Sequence, residues 1–230
     1  EQGIQMLKNA GIRVVTGVCK DKAEKLNEIF IKYITKKRPF VIMKTAMTLD
    51  GKIATAKGDS RWISSDASRQ YVHTLRNRVS AVMVGVNTVI ADNPMLTTRL
   101  KTGSGRDAAR IVVDSEGRMP VNSNIINANS NAGVILAASS RIEESREKLF
   151  TEMGVKVVKA DDGRGRIDLC KLMDELYRLE IDSVLLEGGG TINWAALSSG
   201  IVDKVIMFIA PRIIGGSNAV TPVEGEGINR

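Results

Sequence analysis

The sequence is short of aromatics, cysteine and histidine, and each shortage closes a class of function. Aromatic residues make up 4% of the 230 positions, too few to build the stacking platforms on which single-stranded nucleic acid lies. Basic residues are scattered among acids, with Lys36-Lys37-Arg38 the only run of three, so the formal charge of +7 describes a solvated surface that also attracts small phosphorylated molecules. No nucleic-acid partner is expected. Cys19 and Cys170 stand far apart in no ligand-spaced cluster, which excludes a disulfide framework and a zinc site and fits reduced cytoplasmic thiols. His73 is the single histidine; among Tyr71, Val72 and Leu75 it reads as a half-buried helix position. With no Gly-x-Ser-x-Gly elbow, and no His-x-Glu paired with Pro-Cys-x-x-Cys, serine hydrolysis and zinc deamination both lose their candidates. No 18 apolar residues follow one another, and the first 13 residues lack a signal-peptide core, so neither a membrane span nor secretion is expected.

What is present is an alternation of strand and helix patterns. With 43% apolar residues the chain can bury one substantial core, or one core and a small appendage. Residues 1–10 read as a helix stopped by Gly11, then a strand over 12–18, then one helix capped by Asp21 with apolar positions from Ala23 to Ile34 at helical spacing. The polar stretch 35–39, ending in Pro39, reads as a boundary. Beyond it, apolar runs at 39–47, 80–85, 110–114, 132–138, 155–160, 182–186 and 202–211 alternate with helical patterns at 65–79, with Tyr71, Val72, Leu75 and Val79 inward, and at 141–153, 168–180 and 190–197. Strands separated by helices imply an α/β protein with a mixed, mostly parallel sheet covered on both faces.

Three places hold residues that can act on a ligand. At 182–193, a buried-type strand runs into Glu187 and then Gly188-Gly189-Gly190-Thr191, where glycines admit close backbone approach and free N–H groups at a helix start favour a diphosphate. A plain tight turn into a helix would carry the same glycines. Glu187 ends the strand where α/β proteins place ligands, able to accept from N–H or hydroxyl groups; a solvent-facing acid is the plainer alternative. After the strand at 80–85 come Asn87 and Thr88, then the turn signal Asp92-Asn93-Pro94 and the loop Thr97-Thr98-Arg99. Arg99, with Arg76 on the preceding helix, offers planar donors suited to phosphate. The stretch 41–64 joins a buried strand to turns at Gly51 and Gly58 and to Trp62, an aromatic plate for a flat cofactor. Together with the glycine cluster it points to a nicotinamide-dependent enzyme.

The motifs KTAMTLDGKIA (44–54), GDSRWIS (58–64), LRNRVSAVMVGVNTVIADNPMLTTR (75–99), RIVVDSEGR (110–118), EGGGTIN (187–193) and APRIIGG (210–216) jointly resemble the reductase domain of the bacterial bifunctional riboflavin-biosynthesis deaminase/reductase. The resemblance covers residues 39–230. It implies a dihydrofolate-reductase-like fold and NADPH-dependent reduction of the ribosyl group of 5-amino-6-(5-phosphoribosylamino)uracil to a ribityl chain. It also implies that residues 1–38 are the tail of an upstream deaminase domain, that further strands follow residue 230, and that the protein is a homo-oligomer assembling through this domain.

By position, the resemblance implies NADP contacts at Ala46, Trp62, Thr88, Asp92 and Ser115, with Gly189, Gly190, Thr191, Ile192, Asn193, Trp194 and Ala195 forming the diphosphate loop. Substrate contacts fall on Ser60, Arg76, Leu96, Arg99 and Glu187, with Arg76 and Arg99 at the phosphate. Hydride would pass to C1′ of a ring-opened imine, and the proton would come from Asp92, Glu187, Lys44 or water. A dihydrofolate-reductase-like enzyme of another pyrimidine or pterin, and a nucleotide-binding module without turnover, remain as rival readings.

Overall fold

The computed structural model describes residues 2–59, 63–103 and 105–228. Among these residues seven strands form one sheet: β1 (Phe40–Thr48), β2 (Ala81–Gly85), β3 (Ala109–Val113), β4 (Val134–Ala138), β5 (Lys156–Lys159), β6 (Ser183–Leu186) and β7 (Lys204–Ala210). Their order across the sheet is β5-β4-β3-β2-β6-β1-β7. Each pairing between strands is parallel, so the mixed character expected is not seen among the described residues. The reason is visible in the spacing: the strands are joined by crossovers through loops and helices, and no tight hairpin returns the chain antiparallel.

Among the described residues nine helices accompany the sheet: α1 (Gln2–Asn9), α2 (Lys20–Leu26), α3 (Glu28–Lys36), α4 (Asp66–Arg78), α5 (Val86–Asp92), α6 (Asn124–Asn127), α7 (Glu144–Glu152), α8 (Leu169–Arg178) and α9 (Gly190–Ser198). Strand residues alternate between two apolar clusters, as period two requires. Phe40, Ile42, Val82, Val84, Val112 and Leu136 meet Leu75 of α4, Val89 of α5 and Phe150 of α7 on one face. On the other, Val41, Met43, Met83, Ile111 and Leu186 meet Leu172 and Leu176 of α8 and Ala196 of α9. Helices therefore cover both faces, which is why the central strands are apolar throughout.

The opening of the chain departs from expectation. Residues 12–18 form no strand and are almost wholly exposed; an isolated extended segment has no ladder to join and gains nothing from β geometry. The single helix expected after Asp21 is two, α2 and α3, broken at Asn27, and the residue before α2 is Cys19 in the left-handed conformation, with no side-chain cap. Asp21 instead sits in the first turn. No residue of α1, α2 or α3 is buried. At α4, Ser65 caps as expected, accepting from the Ser68 N–H, and Val72 and Leu75 are buried. Tyr71 is not: it is half exposed and meets Phe208 of β7 edge-on.

Candidate active site

Near the middle of the sheet, the neighbouring strands β2 and β6 send their chains to opposite faces. From β2 the chain enters α5 on the first face; from the adjacent β6 it enters α9 on the second. Such a divergence opens a crevice at the carboxyl ends of the strands. A cavity of about 540 Å³ lies there, walled by Gly85, Thr88, Ser115, Gly189, Thr191 and Trp194 among others. Thr88, Ser115, Gly189, Thr191, Ile192, Trp194 and Ala195, all expected at a cofactor, line it; Gly190 and Asn193 are buried within α9 behind that wall.

The three glycines before α9 are there for different reasons. A Cβ at Gly188 would run into the branched side chain of Ile192, and one at Gly190 would stand 2.7 Å from the Thr221 carbonyl oxygen. Internal packing explains both. A Cβ at Gly189 would meet nothing within 4 Å, and its backbone is extended at φ −80, so nothing in the protein itself demands glycine. Gly189 faces the cavity at the start of α9, where unpaired N–H groups and the helix dipole favour an anion. That open cradle, with an apolar wall at Ile192 and Trp194 and the hydroxyls of Thr88 and Ser115, fits a dinucleotide. Asn193 fixes the wall, donating to the Pro222 carbonyl at 2.8 Å and to the Gly188 carbonyl at 3.3 Å.

A charged cluster adjoins the glycine turn. Because Met43 of β1 pairs with Leu186 of β6 in a parallel register, the next positions, Lys44 and Glu187, lie side by side with their side chains on one face. Lys44 Nζ is 3.9 Å from Glu187 Oε2. Arg76, from α4 on that face, grips the same carboxylate in a fork: Nε to Oε1 at 2.6 Å and Nη2 to Oε2 at 3.0 Å. Its remaining nitrogen, Nη1, donates to the Thr97 carbonyl at 3.0 Å. Burial pushes the Glu187 carboxyl up, but Arg76 and then Lys44 overcome it and leave its pKa lowered. Burial pulls the Lys44 ammonium down, against the raising effect of Glu187. The arrangement is a fixed carboxylate beside a lysine poised to give up a proton more readily than usual.

Arg76, expected at the substrate's phosphate, has its donors on the Glu187 carboxylate and the Thr97 carbonyl. Its short contacts go to Glu187 and the loop, as a bidentate arginine–carboxylate pair out of water is hard to displace. Arg99 is exposed, and its guanidinium has no hydrogen bond or ion pair among the described residues. Its backbone N–H donates to His73 Nδ1 at 3.2 Å, which gives the lone histidine a structural task. Leu96 is buried with a left-handed backbone, φ 55, a strained state for a γ-branched residue that often marks a shaped loop. Ala46 lies on β1 two residues beyond Lys44, on the same face, and is outside the cavity wall. Asp92 is exposed at the last position of α5 and also outside that wall. Helical geometry explains it: Thr88 sits in the first turn at the cavity and Asp92 one turn further out. Ser60 and Trp62 lie outside the described residues.

Sequence reasoning missed the far wall, Arg166, Ile167 and Leu169. The one signal there was Asp168, whose carboxylate caps α8 by accepting from the Cys170 N–H at 2.8 Å and the Lys171 N–H at 3.1 Å; a cap locates a helix start but says nothing of what faces it. Among the described residues no group of three or more His, Cys, Asp or Glu could hold a metal ion, and no helix is long and apolar enough to cross a membrane.

Comparison with known proteins gives concordant matches. The family described as RibD C-terminal domain matches residues 39–230. The riboflavin biosynthesis protein RibD of Actinobacillus pleuropneumoniae is 43% identical over 229 residues, which is all of this chain and 60% of that protein. The 2,5-diamino-6-ribosylamino-4(3H)-pyrimidinone 5′-phosphate reductase of Methanothermobacter thermautotrophicus is 42% identical over 84% of this chain and 87% of its own length. A crystal structure from Thermotoga maritima, titled a diaminohydroxyphosphoribosylaminopyrimidine deaminase/5-amino-6-(5-phosphoribosylamino)uracil reductase, superposes with a TM-score of 0.80 at 36% identity, covering 97% of this chain and 60% of that one. The architecture is the α/β, dihydrofolate-reductase-like one expected.

Proposed function

Because this chain belongs to the RibD C-terminal domain family, we propose that it is the reductase of a riboflavin-pathway pyrimidine, using NADPH to convert the ribosyl group of 5-amino-6-(5-phosphoribosylamino)uracil to a ribityl chain. The observation that carries the reading is the continuity of two unlike sites: a nucleotide-sized cavity ends at Gly189, and two residues earlier Glu187 is locked beside Lys44 and Arg76. The chain spans 60% of the RibD relative, and an upstream deaminase domain, with residues 1–38 as its tail, belongs to the same proposal. So does assembly into a homo-oligomer.

When bound, the cofactor supplies a hydride. The chain's own residues do the rest. Gly189 and the N–H groups that begin α9 take the diphosphate, and Thr88 and Ser115 bind along the same cleft. The exposed guanidinium of Arg99 takes the substrate's 5′-phosphate. Glu187, held rigid by Arg76, accepts from a hydroxyl or amino group of the sugar or pyrimidine, and rigidity matters because misplacement of reacting atoms by an ångström costs rate. Lys44 gives the proton. Burial lowers its pKa, which brings the acid closer in strength to what turnover near neutrality favours. Reduction of the open-chain imine then balances: hydride to carbon, the Lys44 proton to nitrogen, and a proton from water to restore Lys44. Asp92, exposed beyond the cavity wall, takes no part.

The test is to mix the full chain with NADPH and the phosphoribosylaminopyrimidine and follow loss of the nicotinamide absorbance. Consumption should require the pyrimidine and should weaken when its 5′-phosphate is removed. NADPH left intact in the presence of the 5-amino and the 2,5-diamino pyrimidines alike would end the reading.

A further inference from the structure

Between α5 and β3, the described residues of 93–108 belong to no helix or strand. Their backbone groups have no ladder to join, so the loop that presents Arg99 is held by side chains. Three consecutive residues are each pinned by a side chain at least nine positions away in sequence. The Thr97 carbonyl accepts from Arg76 Nη1 at 3.0 Å, the Thr98 N–H donates to Asp107 Oδ1 at 2.6 Å, and the Arg99 N–H donates to His73 Nδ1 at 3.2 Å. Near the far end of the loop, the Arg106 N–H donates to Asn77 Oδ1 at 2.7 Å. His73, Arg76 and Asn77 stand at i, i+3 and i+4 of α4 and so form one ridge. That ridge grips the loop at both ends.

Of these pins, only the imidazole belongs to a residue type that ordinarily titrates between pH 5 and 8. A backbone N–H can only donate, so Nδ1 carries a lone pair and the ring proton sits on Nε2. The imidazolium form has protons on both nitrogens and would set one N–H against another. Burial, then Arg76 one turn along α4 and Arg99 on the loop, pull the ring's pKa below its ordinary 6.5. Glu187 at the end of β6 and the Thr97 carbonyl pull the other way and are outweighed. The neutral acceptor is therefore the resting form at neutral pH.

We propose that His73 is a positioning residue: its neutral imidazole, by accepting from the Arg99 N–H, holds the loop so that the Arg99 guanidinium meets the substrate's phosphate, and a proton on the ring releases that hold. The inference rests on the placement of the phosphate at Arg99 proposed above, and deepens it by naming what aims the arginine and the condition under which the aim is lost. Its signature is in substrate capture and not in the chemical step, because His73 touches neither Lys44 nor the cavity wall.

His73 is the single histidine, so nitrogen NMR of the full chain reads its ring without overlap and without turnover. The Nε2–H tautomer should be found at about pH 7.5, and the Arg99 amide should lose protection from hydrogen exchange as the ring is protonated toward about pH 5. Kinetics at saturating NADPH then separate aiming from packing. The substrate's phosphate itself takes up a proton near pH 6, so the comparison is with His73→Asn, whose Oδ1 accepts where Nδ1 did and does not titrate. From about pH 7.5 to about pH 5, KM for the phosphorylated pyrimidine should rise about 2- to 12-fold more in the wild type than in His73→Asn, the worth of one neutral hydrogen bond, with kcat nearly unchanged. His73→Leu, with no acceptor, should show the raised KM at both ends of that range. The Nδ1–H tautomer at about pH 7.5, or equal KM profiles in wild type and His73→Asn, would overturn the proposal. So would a KM that falls as the wild-type ring is protonated, since the imidazolium would then be a phosphate ligand. Turnover absent at every pH would sink the function proposed above, while the tautomer and the amide protection would still decide whether His73 holds the loop.

Discussion

At the scale of single residues, Arg76 and Arg99 look alike in sequence and differ in what surrounds them. Arg76 forms a buried bidentate pair with Glu187, with 12% and 8% of the two side chains exposed. Removing one partner of such a pair strands the other charge, so Arg76→Ala should cost about 3–5 kcal/mol of stability, read as a lowered midpoint in urea unfolding. The pair also sets an acid limb: Glu187 has its pKa lowered in the folded protein from an ordinary 4.5, so its stabilisation is present above that value and is lost as pH falls through the folded one. Arg76→Ala should shrink this limb. Arg99→Ala should leave the unfolding midpoint unmoved and lower kcat/KM about 10- to 150-fold, the effect of losing one charged hydrogen bond. Equal destabilisation by both substitutions would refute the distinction. Sequence alone could not draw it, because the partner of Arg76 is 111 positions away and meets it only through the register of β1 against β6.

Among elements, the turn from β6 into α9 does the most to join fold to function, and its glycines can be separated experimentally. Gly190→Ala places a methyl against the Thr221 carbonyl oxygen, a backbone atom that cannot swing aside, and should destabilise the fold by about 1–3 kcal/mol as other overpacked sites do. Gly189→Ala meets no atom within 4 Å at a φ any residue adopts; it should unfold as the wild type does yet weaken NADPH binding at least tenfold, measured by quenching of Trp fluorescence. A Gly189→Ala protein with unaltered NADPH affinity would mean that the cradle holds nothing. The seven strands and the helices α4, α7, α8 and α9 were legible from the sequence because their apolar periodicity matches what the sheet buries on each face, whereas the short α5 and α6 offer too few turns for a period to show. The opening segment was not: Val14, Val15 and Val18 favour a strand locally, but no neighbouring strand lies there to pair with them, and propensity without a partner does not make a sheet. The loop carrying Arg166 was illegible for the opposite reason, having no periodicity to read.

At the scale of the whole molecule, two of the stretches that leave apolar side chains bare lie outside the cavity wall. One is the helical opening, where Met6, Val15, Val18 and Leu26 are exposed on elements tied to the sheet mainly by Lys32 with Asp203, Glu28 with Lys204 and Arg38 with Asp174; this is the side on which an upstream domain would rest. The other is β7, an edge strand whose Val205, Met207 and Ile209 are 47%, 41% and 56% exposed on one face, while Ile206 packs into the core on the opposite face. Long apolar edges invite pairing with another chain unless something blunts them. Lys204 opens the strand but points its charge to Glu28, so it does not protect the row that follows. If the proposed homo-oligomer forms here, Met207→Lys should shift the mass measured by light scattering toward the monomer. The unfolding midpoint of that monomer and its NADPH affinity should stay near wild-type values, since no cleft residue comes from β7. A wild-type chain that is already monomeric at tens of micromolar, or a Met207→Lys variant that assembles unchanged, would rule out this edge as the contact between copies.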